Sequence, residues 1–126
     1  MLAGCRVLVV EDEALVAENI VELLIEAEGV PVGPVATIRE ARQLLKGSLF
    51  IDAALLDVNL GDGPVTPVLE ALSARGTPTV VYTGSVVPED VRHRHPDLIV
   101  LSKPVLPARL IAELRKLMGK SARASR

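Results

Sequence analysis

The chain has 126 residues, enough for one domain with a sizeable core but too few for two ordinary domains. Its net charge of −2 argues against a nucleic-acid-binding domain, which is usually basic, and the sequence contains no membrane-spanning run and no signal-peptide pattern. The single cysteine, Cys5, excludes an internal disulfide and fits a reducing compartment, so we predict a cytoplasmic protein.

Five apolar segments have the length and composition of buried strands, and they lie at 5–10, 30–35, 53–57, 79–82 and 98–101. Such runs without polar alternation are typical of strands that are covered on both faces in a parallel sheet. The second segment contains Pro31 and Pro34, which cannot donate hydrogen bonds to a neighbouring strand. We therefore place it at an edge of the sheet.

A segment with helical character follows each strand. Thr37 with Glu40 forms a capping-box pattern at the start of the second helix. Thr66 and Pro67 are expected to be the N-cap and the first residue of the third helix. The fourth helix, predicted at 88–94, is short and polar. Apolar residues at helical spacing mark the buried face of the first helix and of the last: Val16, Ile20, Leu23, Leu24, Ala27, Leu110, Ile111, Leu114 and Met118.

The fivefold alternation of strand and helix predicts an α/β fold. Each connection between parallel strands packs its helix back on the sheet, so helices should cover both faces. We expect the domain to comprise residues 1–119. The segment 120–126 is small, polar and basic, and we expect it to be a disordered tail.

Reactive side chains stand at or just after the ends of four predicted strands. They are Glu11, Asp12, Asp57, Thr83 and Lys103. Because ligands bind at the carboxyl edge of open α/β sheets, we expect these residues to share one site. Neighbouring carboxylates repel one another unless a cation joins them, and Mg²⁺ prefers such oxygen ligands. Together with a lysine and a hydroxyl, the set suits phosphoryl transfer, in which a carboxylate can be the nucleophile.

Each of these residues has a simpler explanation when it is taken alone. Asp57 would start a turn, and Asp12 would cap the first helix, where the helix dipole favours a negative charge. Thr83 would be an ordinary strand-end residue, and Lys103 a solvated charge. The joint pattern favours a chemical site over these separate explanations.

Four motifs occur together in this chain: VLVVEDE at 7–13, LLDVNLGDG at 55–63, YTG at 82–84 and SKP at 102–104. In their order and separation they resemble the receiver domain of bacterial two-component response regulators. The resemblance covers about residues 5–118. It implies a flavodoxin-like (βα)5 fold, which is a doubly wound parallel sheet of five strands in the order 2-1-3-4-5.

Carried over residue by residue, the resemblance implies that Asp57 is the phosphoacceptor. Asp57 and Asp12 would ligate Mg²⁺ directly, and Glu11 would do so through water. Asn59 matches the position whose backbone carbonyl is also a ligand, so its side chain is freer to vary.

The resemblance also assigns residues that would respond to the phosphoryl group. Thr83 matches the switch hydroxyl, and Lys103 matches the lysine that pairs with the phosphoryl group. Gly84 matches a small residue that leaves room for it. Asn59 and Ser85 flank the path of an attacking water, so we expect both to influence the lifetime of the phosphorylated state.

Two features depart from the family pattern. Val100 stands three positions before the lysine, where many receivers carry a switch aromatic. Tyr82 cannot simply substitute for it, because Tyr82 and Thr83 are neighbours on a strand and point to opposite faces. The short helix at 89–94 is then a candidate carrier of the signal. A subgroup with a PFxFATGY pattern is also similar, but the fourth strand matches it only at Pro78, Thr83 and Gly84.

We predict a stand-alone response regulator that accepts phosphate from a sensor histidine kinase or histidine phosphotransfer protein. It would catalyse only its own phosphorylation and dephosphorylation, and it would signal by contact with a downstream protein. We expect no nucleic-acid or membrane partner. Residues 89–94, 98–101 and 107–118 form a candidate homodimer face. The sequence is compatible with a complete protein and with a receiver excised from a larger one.

Two alternative functions remain open at this point. One is an interaction module that keeps the receiver fold but works without phosphate, which the unusual Val100 would allow. The other is a Mg²⁺-dependent phosphohydrolase with an aspartyl nucleophile. Such an enzyme usually needs a second acid/base carboxylate shortly after the nucleophile, where this chain has Asn59.

Overall fold

The computed structural model describes residues 2–47, 50–58, 60–84, 87, 89–96 and 98–124. Strands and helices alternate along them. In chain order they are β1 (Arg6–Val10), α1 (Ala14–Glu26), β2 (Val30–Val35), α2 (Ile38–Lys46), β3 (Ala53–Asp57), α3 (Thr66–Ala74), β4 (Thr79–Thr83), α4 (Glu89–Arg94), β5 (Ile99–Ser102) and α5 (Pro107–Ala124).

The five strands form one parallel sheet in the order β2-β1-β3-β4-β5. This topology confirms the predicted flavodoxin-like fold. β1, β3 and β4 are interior strands, and every residue of β3 and β4 is buried. That burial explains why their sequences are apolar without alternation. β2 lies at an edge, as its two prolines predict.

Helices cover both faces of the sheet, and the sheet separates the core into two clusters. Neighbouring strand residues point to opposite faces. Leu8 and Leu56 therefore pack with α2, α3 and α4, on what we call the α2–α4 face, whereas Val9 and Leu55 pack with α1 and α5, on the α1/α5 face. Asp57 follows Leu55 at a spacing of two residues, so it continues the α1/α5 face at the carboxyl end of β3.

The start of α2 holds three backbone N–H groups with side chains. The Thr37 hydroxyl accepts from the Glu40 N–H at 3.0 Å, which is the N-cap half of the predicted capping box, and it donates to the Glu40 carboxylate at 3.1 Å. Asp62, from the loop after β3, accepts from the N–H groups of Ile38 at 2.9 Å and Arg39 at 3.2 Å. This second cap was not predicted, and it links the loop that follows Asp57 to α2.

Two helix boundaries differ from the sequence-based expectation. Thr66 is the first residue of α3 rather than its N-cap, because the first turn closes on the carbonyl of Val65, which accepts from Val68 and Leu69. α5 continues past Gly119 to Ala124, since one glycine among good helix formers weakens a helix without ending it. The division of the chain into a domain at 1–119 and a tail stays a prediction.

In the described part of the chain, no helix combines the length and the apolar character needed to cross a membrane.

Candidate functional site

Three carboxylates meet at the carboxyl edge of the sheet. Glu11 and Asp12 directly follow β1, and Asp57 ends the adjacent strand β3. One carboxylate oxygen from each residue lies within 4.8 Å of the other two. Glu11 is 2% exposed and Asp57 is 1% exposed, whereas Asp12 is open to solvent. The structure thus brings together the acidic residues that the sequence placed at this edge.

Lys103 reaches the same site from beyond the end of β5. Its ammonium donates to Oδ2 of Asp57 at 3.0 Å, and the side chain is 27% exposed. Its backbone N–H donates to the carbonyl of Thr83 at 2.7 Å, which holds the segment after β5 against the end of β4. Burial lowers the pKa of Lys103, but the hydrogen bond and the charge of Asp57 outweigh burial and raise it. Lys103 is therefore positively charged at neutral pH.

The buried carboxylates perturb one another. The pKa of Glu11 is raised from its ordinary value of 4.5 to about 7. Burial is the largest cause, followed by a hydrogen bond with Asp57 and by the negative charge of Asp57. The N–H of Glu13 and the hydroxyl of Tyr82 offset part of this effect. The three acidic groups exceed the single positive charge of Lys103, so the site favours an additional cation.

Tyr82 is a member of this site that the sequence did not assign to it. It is 2% exposed and pairs with Asp57 across β3 and β4, so its side chain lies on the α1/α5 face. Its hydroxyl donates to Oε1 of Glu11 at 3.1 Å, and the Lys103 ammonium lies 5.6 Å from the centroid of its ring. Burial and the charge of Glu11 raise the pKa of Tyr82, so the phenol stays protonated.

Thr83 and Gly84 complete the described edge of the site. Thr83 is 2% exposed at the end of β4 and pairs with Ser102 of β5, and Gly84 is exposed in the turn that follows. Thr83 follows Tyr82 and so continues the α2–α4 face, as the alternation on the strand predicted. The roles of Asn59 and Ser85 fall on positions outside the described residues.

Val100 lies in β5 beside Val81 and packs against the α2–α4 cluster. Its side chain has no ring and no polar group. The Lys103–Pro104 peptide bond is cis.

Known structures share this fold over nearly the whole length of both chains. A response regulator receiver protein from Sinorhizobium medicae WSM419 has a TM-score of 0.81 and 24% identity, over 94% of this chain and 98% of that chain. SdrG from Sphingomonas melonis Fr1 is 39% identical with a TM-score of 0.70, over 94% of this chain and 98% of that chain. SdrG from Pseudomonas melonis Fr1, in a BeF3-activated conformation, is 40% identical with a TM-score of 0.67, over 94% and 99%.

The chain belongs to the receiver domain family of response regulators of two-component signalling. No protein-family model and no curated protein sequence matches it.

Proposed function

We propose that this receiver domain accepts a phosphoryl group on Asp57 from a phosphohistidine donor, which is a sensor histidine kinase or a histidine phosphotransfer protein. One observation carries the proposal. The Asp57 carboxylate ends an interior strand, with oxygens of two further carboxylates within 4.8 Å and the Lys103 ammonium 3.0 Å away. A nucleophile in these surroundings is held by groups that can neutralise the charge of a phosphoryl group.

The residues at this edge fit a Mg²⁺ ion. Their donor atoms are carboxylate oxygens within 4.8 Å of one another, and two of the three side chains are buried. Glu11, Asp12 and Asp57 would hold the ion, and the carbonyl of Asn59 is proposed as a further ligand. When bound, Mg²⁺ would supply positive charge that offsets the negative charge of the phosphoryl oxygens and of the carboxylates.

The chain's own groups then have distinct tasks in the transfer. A carboxylate oxygen of Asp57 attacks phosphorus, a new oxygen–phosphorus bond forms, and the nitrogen–phosphorus bond of phosphohistidine breaks. The bonding electron pair stays on the donor imidazole, which takes a proton from solvent. Lys103 already donates to Asp57 and is placed to donate to a phosphoryl oxygen instead.

Thr83 is the proposed reporter of this change. It ends the strand next to β3, and its carbonyl is tied to the N–H of Lys103 at 2.7 Å. Movement of its hydroxyl toward a phosphoryl group would bias the turn at Gly84 and the adjacent α4 toward a second conformation. The output is contact with a downstream protein, for which α4, β5 and α5 are the proposed surface. Residues 89–94, 98–101 and 107–118 are also the proposed homodimer face.

The test is the intact mass of the protein after incubation with acetyl phosphate and Mg²⁺. We expect one added phosphoryl group in the wild type, none in Asp57→Asn and none when EDTA removes the metal. Asp62→Asn is the matched control, because Asp62 lies in the loop after β3 but accepts from α2 instead of facing the acidic cluster. It should gain the phosphoryl group.

Three results would contradict the proposal. An adduct that persists in Asp57→Asn would place the phosphoryl group on another residue. If the wild type forms no adduct and also fails to bind fluoroberyllate, the protein is a receiver-fold module that works without phosphate. Steady turnover of simple phosphate esters would instead support a phosphohydrolase.

A further inference from the structure

The side chain of Tyr82 interacts with a negative and with a positive group of the site, which are Glu11 and Lys103. Its strand register sets it beside Asp57 on the α1/α5 face, and the residue is 2% exposed. A buried hydroxyl without a partner is unfavourable, and this one finds its partner on Glu11, 71 positions earlier in the chain, at 3.1 Å. The contact therefore links β4 to the end of β1 across the intervening strand β3.

The Glu11 carboxylate is held at both of its oxygens. Oε1 accepts from the Tyr82 hydroxyl at 3.1 Å, and Oε2 accepts from the Glu13 N–H at 3.3 Å. Two donors on opposite oxygens restrict rotation of the carboxylate. A carboxylate held in this way cannot readily turn both oxygens toward one ion.

The ring of Tyr82 has a second contact. The Lys103 ammonium lies 5.6 Å from its centroid while it donates to Asp57. The electron-rich face of a ring attracts a cation at this distance. Phenylalanine at position 82 would keep the ring contact with Lys103 and the packing in the core. It would remove only the hydroxyl, whose partner is Glu11.

We propose that Tyr82 is a positioning residue that fixes the Glu11 carboxylate and thereby selects Mg²⁺ over Ca²⁺ at the acidic site. This inference rests on the proposed function of that site. Ca²⁺ takes six to eight ligands and often binds both oxygens of one carboxylate, whereas Mg²⁺ is smaller and needs fewer protein ligands. By limiting Glu11 to one oxygen or to a bridging water, Tyr82 disfavours the larger ion.

The test compares wild type with Tyr82→Phe by calorimetric titration with Mg²⁺ and, separately, with Ca²⁺. Loss of one hydrogen bond is expected to lower the ratio of the Ca²⁺ to the Mg²⁺ dissociation constant by about three- to tenfold. A purely structural role for Tyr82 would weaken both affinities together and leave the ratio unchanged, which would overturn the proposal. Circular dichroism and the urea unfolding midpoint establish that Tyr82→Phe is folded.

A second readout needs no metal. Tyr82 is the single tyrosine and the chain has no tryptophan, so tyrosine emission reports this residue alone. Removing the carboxylate in Glu11→Ala should change the emission of the metal-free protein, whereas Glu18→Ala, on the exposed side of α1, should not. Equal emission from wild type and Glu11→Ala would show that the contact is absent and would overturn the inference.

The calorimetric titration and the emission measurement together distinguish failure of the proposed function from failure of the inference about Tyr82. If emission responds to Glu11→Ala but the wild type binds neither ion, the proposed function fails and the selectivity inference falls with it. If the wild type binds Mg²⁺ and the ratio does not change in Tyr82→Phe, the proposed function stands and only the role of Tyr82 is overturned.

Discussion

The Lys103 ammonium and the Asp57 carboxylate lie 3.0 Å apart, although 46 positions separate the two residues in the chain. The contact joins the end of β3 to the segment after β5, across the intervening strand β4. Since Asp57 is 1% exposed, the pair gives a buried negative charge its positive partner before any other cation binds. It therefore contributes to folding as well as to the proposed phosphoryl transfer.

Replacing Lys103 should destabilise the metal-free protein. Lys103→Met keeps the length of the side chain but leaves Asp57 and Glu11 buried without the ammonium. We expect a loss of about 1–3 kcal/mol in the free energy of unfolding, less than for a fully buried pair because Lys103 is partly exposed. Urea denaturation followed by circular dichroism measures it.

Lys116→Met is the matched control. Lys116 pairs with Glu113 at 3.3 Å on α5, and its side chain is 72% exposed. A solvated pair of this kind contributes little, so we expect a change below about 0.5 kcal/mol. Equal losses in the free energy of unfolding of Lys103→Met and Lys116→Met would show that the Lys103–Asp57 pair stabilises the protein no more than a solvated pair does.

Mg²⁺ should stabilise the folded protein through Asp12. At a Mg²⁺ concentration about tenfold above the dissociation constant, binding to the folded state alone adds about 1.4 kcal/mol. Asp12→Asn should lose more than half of this gain, whereas Glu18→Gln, on the exposed side of α1, should keep it. Thermal unfolding with and without Mg²⁺ gives the comparison. An undiminished gain in Asp12→Asn would exclude Asp12 as a ligand.

Thr83 should separate phosphorylation from the response to it. Thr83→Ala keeps the backbone carbonyl that binds the Lys103 N–H, so it should still bind fluoroberyllate. The amide shifts of residues 87 and 89–94 that follow binding in the wild type should shrink, as NMR spectra would show. Thr79→Ala, at the opposite end of the same strand, should leave them unchanged. Full shifts in Thr83→Ala would exclude Thr83 as the reporter.

Asp62 should give the stability of the domain an acid-dependent component. Hydrogen bonds from the N–H groups of Ile38 and Arg39 hold the pKa of Asp62 below its ordinary value of 3.8. A carboxyl group whose pKa is lowered on folding stabilises the protein above pH 3.8. That contribution is lost as the pH falls from there through the folded-state pKa. The melting temperature of Asp62→Asn should thus lie below that of the wild type near neutral pH.

The difference in melting temperature between wild type and Asp62→Asn should become smaller at acidic pH. Thermal melts at about pH 6 and about pH 2.5 test this expectation. Glu22 is exposed on α1, and the control variant Glu22→Gln should have the melting temperature of the wild type at both pH values. A gap between wild type and Asp62→Asn that keeps its size in acid would show that the charge of Asp62 does not stabilise α2.

The sequence predicted the order of strands and helices, and it placed Glu11, Asp12, Asp57 and Lys103 at one edge. Those features depend on local periodicity and on a general rule for parallel sheets. Tyr82 and Asp62 escaped prediction for a physical reason. Alternation shows which face Tyr82 occupies but not which carboxylate it meets, and an aspartate between two glycines has the composition of an ordinary turn residue.

The assignment of the phosphoryl group to Asp57 can be tested most directly by chemical mapping. Borohydride reduces an aspartyl phosphate to homoserine, and peptide fragmentation then locates the modified residue after treatment with acetyl phosphate and Mg²⁺. We predict homoserine at position 57, and none at position 12, 52 or 62. Homoserine at any of those three positions, with Asp57 unmodified, would contradict the account.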